Sequence, residues 1–302
     1  MTGERFHTGP TLDTVGDFTV IDCESCGFAH IVPIPTTDDL VAVYKDDYYT
    51  TEKPLYLEHH TEDADWWRRT YGERYDRFEE LLPASRRRIL DIGSGPGFFL
   101  LTGKERGWDV RGIEPSTAAA EHARSLGVEV TSGFFSREAA RELGTFDVIH
   151  MSEVLEHIPE PHELIAAAEE TLNPGGLIYV MVPNDYSPFQ QILREARGFE
   201  PWWVAPPHHI NYFNRNSLGR LLEGHGFEVL DTESTFPIDV FLLMGENYVG
   251  NDEVGRLCHA MRKSFEQTLW DADARDLKRD LYEAFAALGL GRLVAAVGRK
   301  AE

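Results

Sequence analysis

Residues 88–100 read RILDIGSGPGFFL and join three kinds of segment. The apolar run at 89–92 is typical of a buried parallel strand. Three glycines at alternate positions, Gly93, Gly95 and Gly97, follow it and precede the start of a helical pattern. A strand, a glycine turn and a helix in this order let the backbone approach a nucleotide closely, because glycine has no Cβ. The run therefore predicts a nucleotide-binding crevice, with Asp91 at the end of its strand.

Strand and helix patterns alternate on both sides of this run. Six further strands are predicted, at 109–114, 128–131, 146–150, 177–182, 227–230 and 292–298. Such alternation predicts an α/β fold of the doubly wound, Rossmann-like kind, with a mostly parallel seven-stranded sheet and helices on both faces. Residues 237–288 interrupt this alternation of strands and helices. Their pattern predicts a helical lid inserted before the last strand. The chain is therefore expected to divide into an extension at 1–80 and a main α/β domain at 81–302.

The composition excludes several classes of function. A formal net charge of -22 in 302 residues argues against nucleic-acid binding, which relies on clustered Lys and Arg. No apolar run is long enough to cross a membrane, and the amino terminus lacks the layout of a secretory signal. Three cysteines cannot form a disulfide framework, which fits a reducing compartment. We expect a cytoplasmic protein with a small-molecule partner, no nucleic-acid or membrane partner, and an oligomeric state that stays open.

The extension contains half of a metal-binding motif and an aromatic helix. Cys23 and Cys26 in CESCG place two thiols across a tight turn, as in one half of a zinc ribbon. A closed zinc site needs about four ligands, and the chain has no second cysteine pair. His7 and His30 are the candidates to complete it, but zinc is not expected. Aromatic residues recur at helical spacing between residues 66 and 78, which predicts a helix that is mostly core and partly a cover for the crevice.

Two nucleotide cofactors compete for the glycine turn. Glu114 ends the next predicted strand, where an acid suits a hydrogen bond to a ribose diol. A dinucleotide turn has the pattern GxGxxG/A, whereas here the third glycine comes one position early and Phe98 stands where the small residue belongs. A turn preceded by Asp91 suits a ligand with an ammonium group and no pyrophosphate, such as S-adenosylmethionine (SAM). An NAD-dependent oxidoreductase is the alternative.

Residues 88–298 resemble the class I SAM-dependent methyltransferases. The motifs LDIGSGPG (90–97), IEPS (113–116), FDVIHMSEVLEHI (146–158) and LNPGG (172–176) are similar to four motifs of that family, in its order. The resemblance implies a cofactor site formed by Asp91, Gly93, Ser94, Gly95 and Gly97 at the methionine portion, Glu114 and Pro115 at the ribose, Phe134 at the adenine ring, and Met151, Ser152 and Glu153 at the rim. Many relatives have an acid near Phe134 for the adenine amine, so Phe134 is expected only to stack.

A narrower likeness concerns the extension. CESCG followed by Pro33, Pro35, Tyr48 and Tyr49 resembles the ribbon-bearing sugar and small-molecule methyltransferases. Their first cysteine pair is absent from this chain.

The loop PPHHINYF (206–213) is expected on the acceptor side of the crevice, between the fifth strand and the next helix. His208 and His209 are general-base candidates, because histidine titrates near working pH. The resemblance implies that a histidine of this loop deprotonates an acceptor hydroxyl. Six large side chains are candidates for an apolar lid over the acceptor, although several are expected to belong to the core: Trp202, Trp203, Phe236, Phe241, Met244 and Tyr248.

A second polar group follows the fourth predicted strand. The spacing of Glu153, Glu156 and His157 predicts one helical face, where they would hold a hydrated divalent ion together with His209. The segment resembles that of metal-dependent O-methyltransferases. Similar segments line the crevice of metal-free relatives, so a divalent metal is not expected.

The sequence therefore predicts an enzyme that moves a methyl group from SAM to a hydroxyl of a small molecule, such as a nucleotide-linked sugar or a secondary metabolite. Three alternatives stay open: methyl transfer to nitrogen or carbon, NAD-dependent oxidation, and a non-catalytic SAM-binding regulator.

Overall fold

The computed structural model describes residues 7–36 and 60–302. The described strands are β1 (Thr11–Val15), β2 (Phe18–Asp22), β3 (Ala29–Val32), β4 (Arg88–Ile92), β5 (Asp109–Glu114), β6 (Glu129–Ser132), β7 (Phe146–Ser152), β8 (Leu172–Pro183), β9 (Asn211–Tyr212), β10 (Phe227–Ser234) and β11 (Leu293–Lys300). The described α-helices are α1 (Ala64–Leu81), α2 (Phe98–Glu105), α3 (Thr117–Ser125), α4 (Arg137–Leu143), α5 (Pro161–Thr171), α6 (Pro188–Arg197), α7 (Arg215–Gly224), α8 (Asp239–Met244), α9 (Asp252–Asp271) and α10 (Arg275–Ala287). Tyr48 and Tyr49 lie outside the described residues.

Seven strands form the central sheet, in the order β10-β11-β8-β7-β4-β5-β6. β11 runs antiparallel to both of its neighbours, and the other adjacent pairs are parallel. The carboxyl ends of β4, β5 and β7 therefore meet at one edge, together with the beginning of β11. This architecture confirms the predicted doubly wound, mostly parallel seven-stranded fold.

Apolar side chains cover both faces of the sheet, as expected for strands that lie between two helical layers. On one face, Leu90, Ile149 and Ile178 pack with residues of α5 and α7. On the other face, Ile89 and Val148 pack with aromatic residues of α1 and α2. The three helices α8, α9 and α10 lie between β10 and β11, as the helical pattern before the last strand predicts.

The aromatic helix α1 packs on the second of these faces. Tyr75 and Phe78 are fully buried, and the Tyr75 ring stacks on Phe99 at 4.7 Å between ring centroids. The helix is thus part of the core of the sheet domain, although the predicted extension ends at residue 80. The division of the chain at that residue stays a prediction.

A second, four-stranded sheet has the order β1-β2-β3-β9. Its first three strands come from the extension, while β9 belongs to the loop that contains His208 and His209. In the antiparallel pairing of β3 with β9, Ala29 faces Tyr212 and His30 faces Asn211. A strand of the predicted acceptor loop therefore completes the sheet that the extension begins.

None of the helices in the described part of the chain is long and apolar enough to cross a membrane. The cytoplasmic location stays a prediction.

Candidate active site

A cavity of about 890 Å³ opens at the carboxyl ends of β4, β5 and β7. Its volume lies within the range of small-molecule sites, about 300–1,000 Å³. The glycine turn and Glu114 line it, together with Phe134, Ser152 and Glu153. This edge of an open α/β sheet is where ligands of such folds bind.

The glycine turn holds backbone conformations that other residues avoid. Gly93 and Gly95 have φ values of 72° and 51°. A Cβ on Gly93 would lie 2.6 Å from the Val154 side chain, so the turn has no room for a larger residue. Gly97 has a different role: it precedes α2 with a φ of 86°, and a Cβ there would lie 2.6 Å from that of Ala123. The third glycine therefore packs α2 against α3, and it is not among the residues that line the cavity.

Glu114 ends β5 and is bound by two backbone amides. Gly95 N–H donates to Oε2 and Ser116 N–H donates to Oε1, each at 2.8 Å. Burial raises the pKa of this carboxyl to about 7, although both amide hydrogen bonds favour the charged form. Glu114 thus ties the glycine turn to the start of α3 and presents a carboxyl group whose charge changes near neutral pH.

Asp91 belongs to a buried hydrogen-bond chain. The Arg74 guanidinium lies 3.1 Å from His150 Nε2, and His150 Nδ1 lies 2.7 Å from Asp91 Oδ1. Because arginine only donates, His150 is neutral and carries its proton on Nδ1. Burial lowers the pKa of His150, which agrees with this neutral form. These hydrogen bonds hold the carboxylate of Asp91 at the cavity wall.

No pattern in the sequence predicts this hydrogen-bond chain. Arg74 and His150 each fit a regular helix or strand pattern, and they meet only because α1 packs across β7. The His150 ring lies between two aromatic rings, with centroids 3.8 Å from Phe99 and 5.1 Å from Tyr179.

Most of the predicted donor residues line the cavity. They are Asp91, Gly93, Ser94, Gly95, Glu114, Pro115, Phe134, Ser152 and Glu153. Phe134 is 38% exposed, so its ring is available for stacking at the cavity wall. Met151 is an exception, because its side chain points into the core and is fully buried. Alternation along β7 places Met151 on the face opposite to that expected for a rim residue.

The segment after β7 differs from its predicted form. Glu153 has a φ of 58° and precedes a single 3₁₀ turn, Leu155–His157, so the expected common helical face is wrong. A left-handed residue before the turn separates Glu153 from the other two side chains. Instead, Glu156, His157 and His209 have ligand atoms within 4.8 Å of one another. Metal binding by Glu153, Glu156 and His157 stays an open alternative, and a divalent metal is still not expected.

His157 is the histidine of this region whose side chain lines the cavity. Its Nδ1 lies 2.7 Å from the backbone carbonyl of His208. A carbonyl only accepts, so Nδ1 donates and Nε2 of the neutral ring carries the lone pair. The ring of His209 meets it edge to face, at 5.0 Å between centroids.

His208 and His209 lie behind this ring, and neither is among the described residues that line the cavity. Their loop is fixed to the 3₁₀ turn by Ile210 N–H, which donates to the Glu156 carbonyl at 2.7 Å. Asn211 Nδ2 donates to the carbonyls of Leu155 and Ile158 at 2.8 and 2.7 Å. The structure thus brings the loop beside the cavity, and the assignment of the base to His208 or His209 stays a prediction.

The six candidate lid side chains do not line the cavity within the described residues. Trp203 packs in the core of the four-stranded sheet, Phe241 is buried against Phe236, and Met244 is 63% exposed. The aromatic wall comes instead from α1, through Trp66, Trp67 and Tyr71. Hydrophobicity does not distinguish side chains packed in a second core from those that face a ligand, which is why these six were candidates. The helical lid insertion at 237–288 stays a prediction.

The donor residues fit SAM. The glycine turn offers backbone without side chains, Asp91 and Glu114 offer acids for an ammonium group and a ribose diol, and Phe134 offers a ring for adenine. Three of the four sequence motifs, LDIGSGPG, IEPS and FDVIHMSEVLEHI, contribute residues to this cavity.

Comparison with known proteins agrees with the geometry. A family model described as "Methyltransferase domain" matches residues 62–232. A ubiquinone biosynthesis O-methyltransferase from Ralstonia nicotianae is 31% identical over 150 residues, which cover 48% of this chain and 59% of that protein. The C-methyltransferase NovU from Streptomyces niveus is 28% identical over 150 residues, which cover 48% of this chain and 34% of NovU. The chain thus spans less than two thirds of these relatives' length.

A solved SAM-dependent methyltransferase from Archaeoglobus fulgidus has the same fold, with a TM-score of 0.50 and 19% sequence identity. The alignment covers 77% of this chain and 94% of that one. The family model covers more than half of the chain, including the glycine turn, Glu114 and the turn that bears His157. The chain therefore belongs to the class I SAM-dependent methyltransferases.

Proposed function

We propose that the protein transfers a methyl group from SAM to a hydroxyl of a small molecule, with His157 as the general base. The observation that carries this proposal is the placement of the His157 ring in the same cavity as the glycine turn, with its tautomer set by the His208 carbonyl. The relatives named as O-methyltransferases support the choice of oxygen.

The residues of the glycine turn and Glu114 hold the donor, and bound SAM supplies an electrophilic methyl group on a sulfonium. Asp91 is fixed by His150, so its carboxylate would accept hydrogen bonds from the ammonium group of the donor. Methyl transfer between two bound molecules gains chiefly from their alignment, since positioning converts a bimolecular step into an effectively unimolecular one.

A hydroxyl group is a weak nucleophile and needs a base as it attacks. His157 Nε2 takes the proton, because Nδ1 is already protonated and donates to the His208 carbonyl. The same carbonyl stabilises the imidazolium that forms, since its oxygen accepts from a cationic N–H. His208 thus contributes through its backbone and positions the base.

The acceptor end of the cavity combines aromatic and cationic groups. Trp66, Trp67 and Tyr71 supply an apolar wall, and Arg262 and Arg292 line the same space. Aromatic faces exclude water, while guanidinium groups bind phosphate and carboxylate. This lining supports an acceptor such as a nucleotide-linked sugar or an acidic secondary metabolite.

Methyl transfer to carbon is the second candidate, favoured by the similarity to a protein named as a C-methyltransferase. Activated carbon acids also lose a proton, so His157 would have the same task. The two candidates differ in the product.

The test uses SAM with a ¹³C-labelled methyl group and a panel of sugar nucleotides and phenolic or hydroxylated acids. We expect a labelled product whose carbon chemical shift is that of a methyl ether. A label on carbon or nitrogen would contradict oxygen transfer, and failure of SAM to bind in calorimetry at high micromolar concentration would contradict the whole proposal.

A further inference from the structure

We propose that His7, Cys23, Cys26 and His30 bind a structural zinc ion in the four-stranded sheet. This inference is independent of the proposed methyl transfer, because it concerns a site on the extension outside the cavity. The four side chains come from the segment before β1, the turn after β2, and β3. Their ligand atoms all lie within 4.8 Å of one another.

The three distances from His7 Nδ1 lie within about 0.4 Å of the edges of a zinc tetrahedron. His7 Nδ1 lies 3.2 Å from Cys26 Sγ, 3.6 Å from Cys23 Sγ and 3.1 Å from His30 Nε2. Zinc bonds of about 2.3 Å to sulfur and about 2.0–2.1 Å to nitrogen give tetrahedral edges of roughly 3.3–3.8 Å. Two thiolates and two imidazoles are also one of the standard ligand sets of structural zinc.

Hydrogen bonding alone gives a poorer account of this cluster. One ring nitrogen of His7 has three close partners, yet a ring nitrogen carries either one proton or one lone pair. A single cation shared by the four atoms explains why they converge on one point.

The surrounding groups orient the ligands. His30 Nδ1 lies 2.9 Å from the Ile31 carbonyl and therefore donates, which leaves the lone pair on Nε2, the atom that faces the cluster. Such outer hydrogen bonds are characteristic of metal-binding histidines. Ser25 Oγ lies 3.1 Å from Cys23 Sγ, in reach to donate to a thiolate.

The turn between the cysteines has the backbone that brings two thiols together. Gly27 has a φ of 77°, and its N–H donates to the Cys23 carbonyl at 3.0 Å. Cys23 is almost fully buried, which suits a closed structural site better than an open catalytic one.

The proposal departs from the sequence-based expectation, which named His7 and His30 as candidate ligands but expected no zinc. The missing cysteine pair is replaced by two histidines that the sequence places far apart, and only the folding of β1–β3 brings His7 beside His30. The other group of metal-binding type in the described chain, Glu156 with His157 and His209, has three members and no sulfur. Zinc binds thiolates tightly, so the sulfur-containing cluster is the zinc site.

The ion would also position the acceptor loop. His30 pairs with Asn211 across β3 and β9, and the Asn211 side chain binds the carbonyls of Leu155 and Ile158 on either side of His157. A zinc ion on β3 therefore stabilises the strand that supports the turn bearing the proposed base.

The test measures metal in the full-length protein purified without chelators. We expect close to one zinc per chain by mass spectrometry, and a thiolate-to-cobalt charge-transfer band after exchange with Co²⁺. Cys26→Ser and His30→Ala should each lower zinc content at least about tenfold. Cys258→Ser is the matched control, because Cys258 is fully buried in α9, away from this sheet.

Two further measurements keep the proposal testable if a variant fails to fold. Chelation of the wild-type protein should lower its thermal midpoint, and added Zn²⁺ should restore it. Glu156→Gln should keep its zinc. The proposal is overturned if wild-type protein supplied with Zn²⁺ retains none and gives no cobalt–thiolate band. It is also overturned if Glu156→Gln loses the ion while Cys26→Ser retains it.

Discussion

The two sides of the cavity are built in different ways. The donor side consists mainly of one continuous turn after β4, with Glu114 added from the neighbouring strand. The proposed acceptor side is assembled from separate segments: α1, the turn bearing His157, α9 and the residue before β11. The donor side therefore depends on local backbone geometry, whereas the acceptor side depends on the docking of distant elements. Substitutions on each side should separate SAM binding from turnover.

The largest effect should follow from removing the base. We expect His157→Asn to lower kcat by about 10²–10³-fold, the usual range for a general base, with no change in SAM affinity. His225→Asn, in a partly buried histidine outside the cavity, is the matched control and should keep its activity.

The same assay tests the sequence-based assignment. His208→Ala and His209→Ala should each keep most of their activity, because His208 acts through its carbonyl. Abolished turnover in either variant, with a fully active His157→Asn, would move the base to the loop.

Next in size is a substitution in the glycine turn. Gly93→Ala should weaken SAM binding at least about tenfold, since its Cβ would collide with Val154 in a left-handed backbone. Gly226→Ala shares the left-handed conformation, with a φ of 82°, but meets no atom within 4 Å. The control should lose only about 1 kcal/mol of stability and bind SAM normally, as calorimetry and urea unfolding can show. Equal SAM affinity in both variants would refute the steric role of the turn.

Glu114 predicts a pH dependence confined to the donor side. Its carboxyl has a pKa raised to about 7, so it is largely protonated at pH 6 and accepts a ribose hydrogen bond less well. The dissociation constant for SAM should rise, by at most about tenfold per pH unit, as pH falls below 7. Glu114→Gln removes this titration, and any slope that it retains comes from SAM or from other titrating groups. A wild-type slope identical to that of the variant would exclude Glu114 as its source.

The smallest expected effect concerns His150, at the boundary between the two sides. Burial keeps its folded pKa below the ordinary value of 6.5. Below pH 6.5 the unfolded chain binds a proton that the folded chain does not, so the free energy of unfolding falls as pH falls. The loss is at most about 1.4 kcal/mol per pH unit.

Urea unfolding at pH 6.5 and 5.5 measures this loss. His150→Gln should show a shallower decline than the wild type. His60→Gln is an informative partner, because burial lowers the pKa of His60 to about 4 and predicts a change of the same sign. An unchanged slope in His150→Gln would show that this ring is protonated in the folded protein.

The contrast also explains how much the sequence could predict. The sheet, Asp91, Gly93 and Glu114 follow from local rules, because strand ends and glycine turns are written in consecutive residues. Two features decide which histidine ring of this region faces the cavity. One is the left-handed backbone of Glu153, and the other is the hydrogen bond from His157 to the His208 carbonyl, fifty-one positions away in the chain. No periodicity of the sequence predicts such a contact.

Pairings between segments that are distant in the chain could not be predicted from the sequence, for the same reason. The β3–β9 pairing joins the extension to the acceptor loop, and it places Trp203 in a second core instead of over the acceptor. The Arg74–His150–Asp91 chain needs α1 to dock across β7. Both arrangements depend on tertiary packing that hydrophobic patterns alone leave undetermined.

The central claim is that SAM binds to the donor side independently of the acceptor side. Its most direct test is a calorimetric titration of SAM into the wild-type protein and into His157→Asn. We predict one SAM bound per chain in both proteins, with the same dissociation constant. Absence of binding to the wild type, or loss of binding in His157→Asn, would contradict this account.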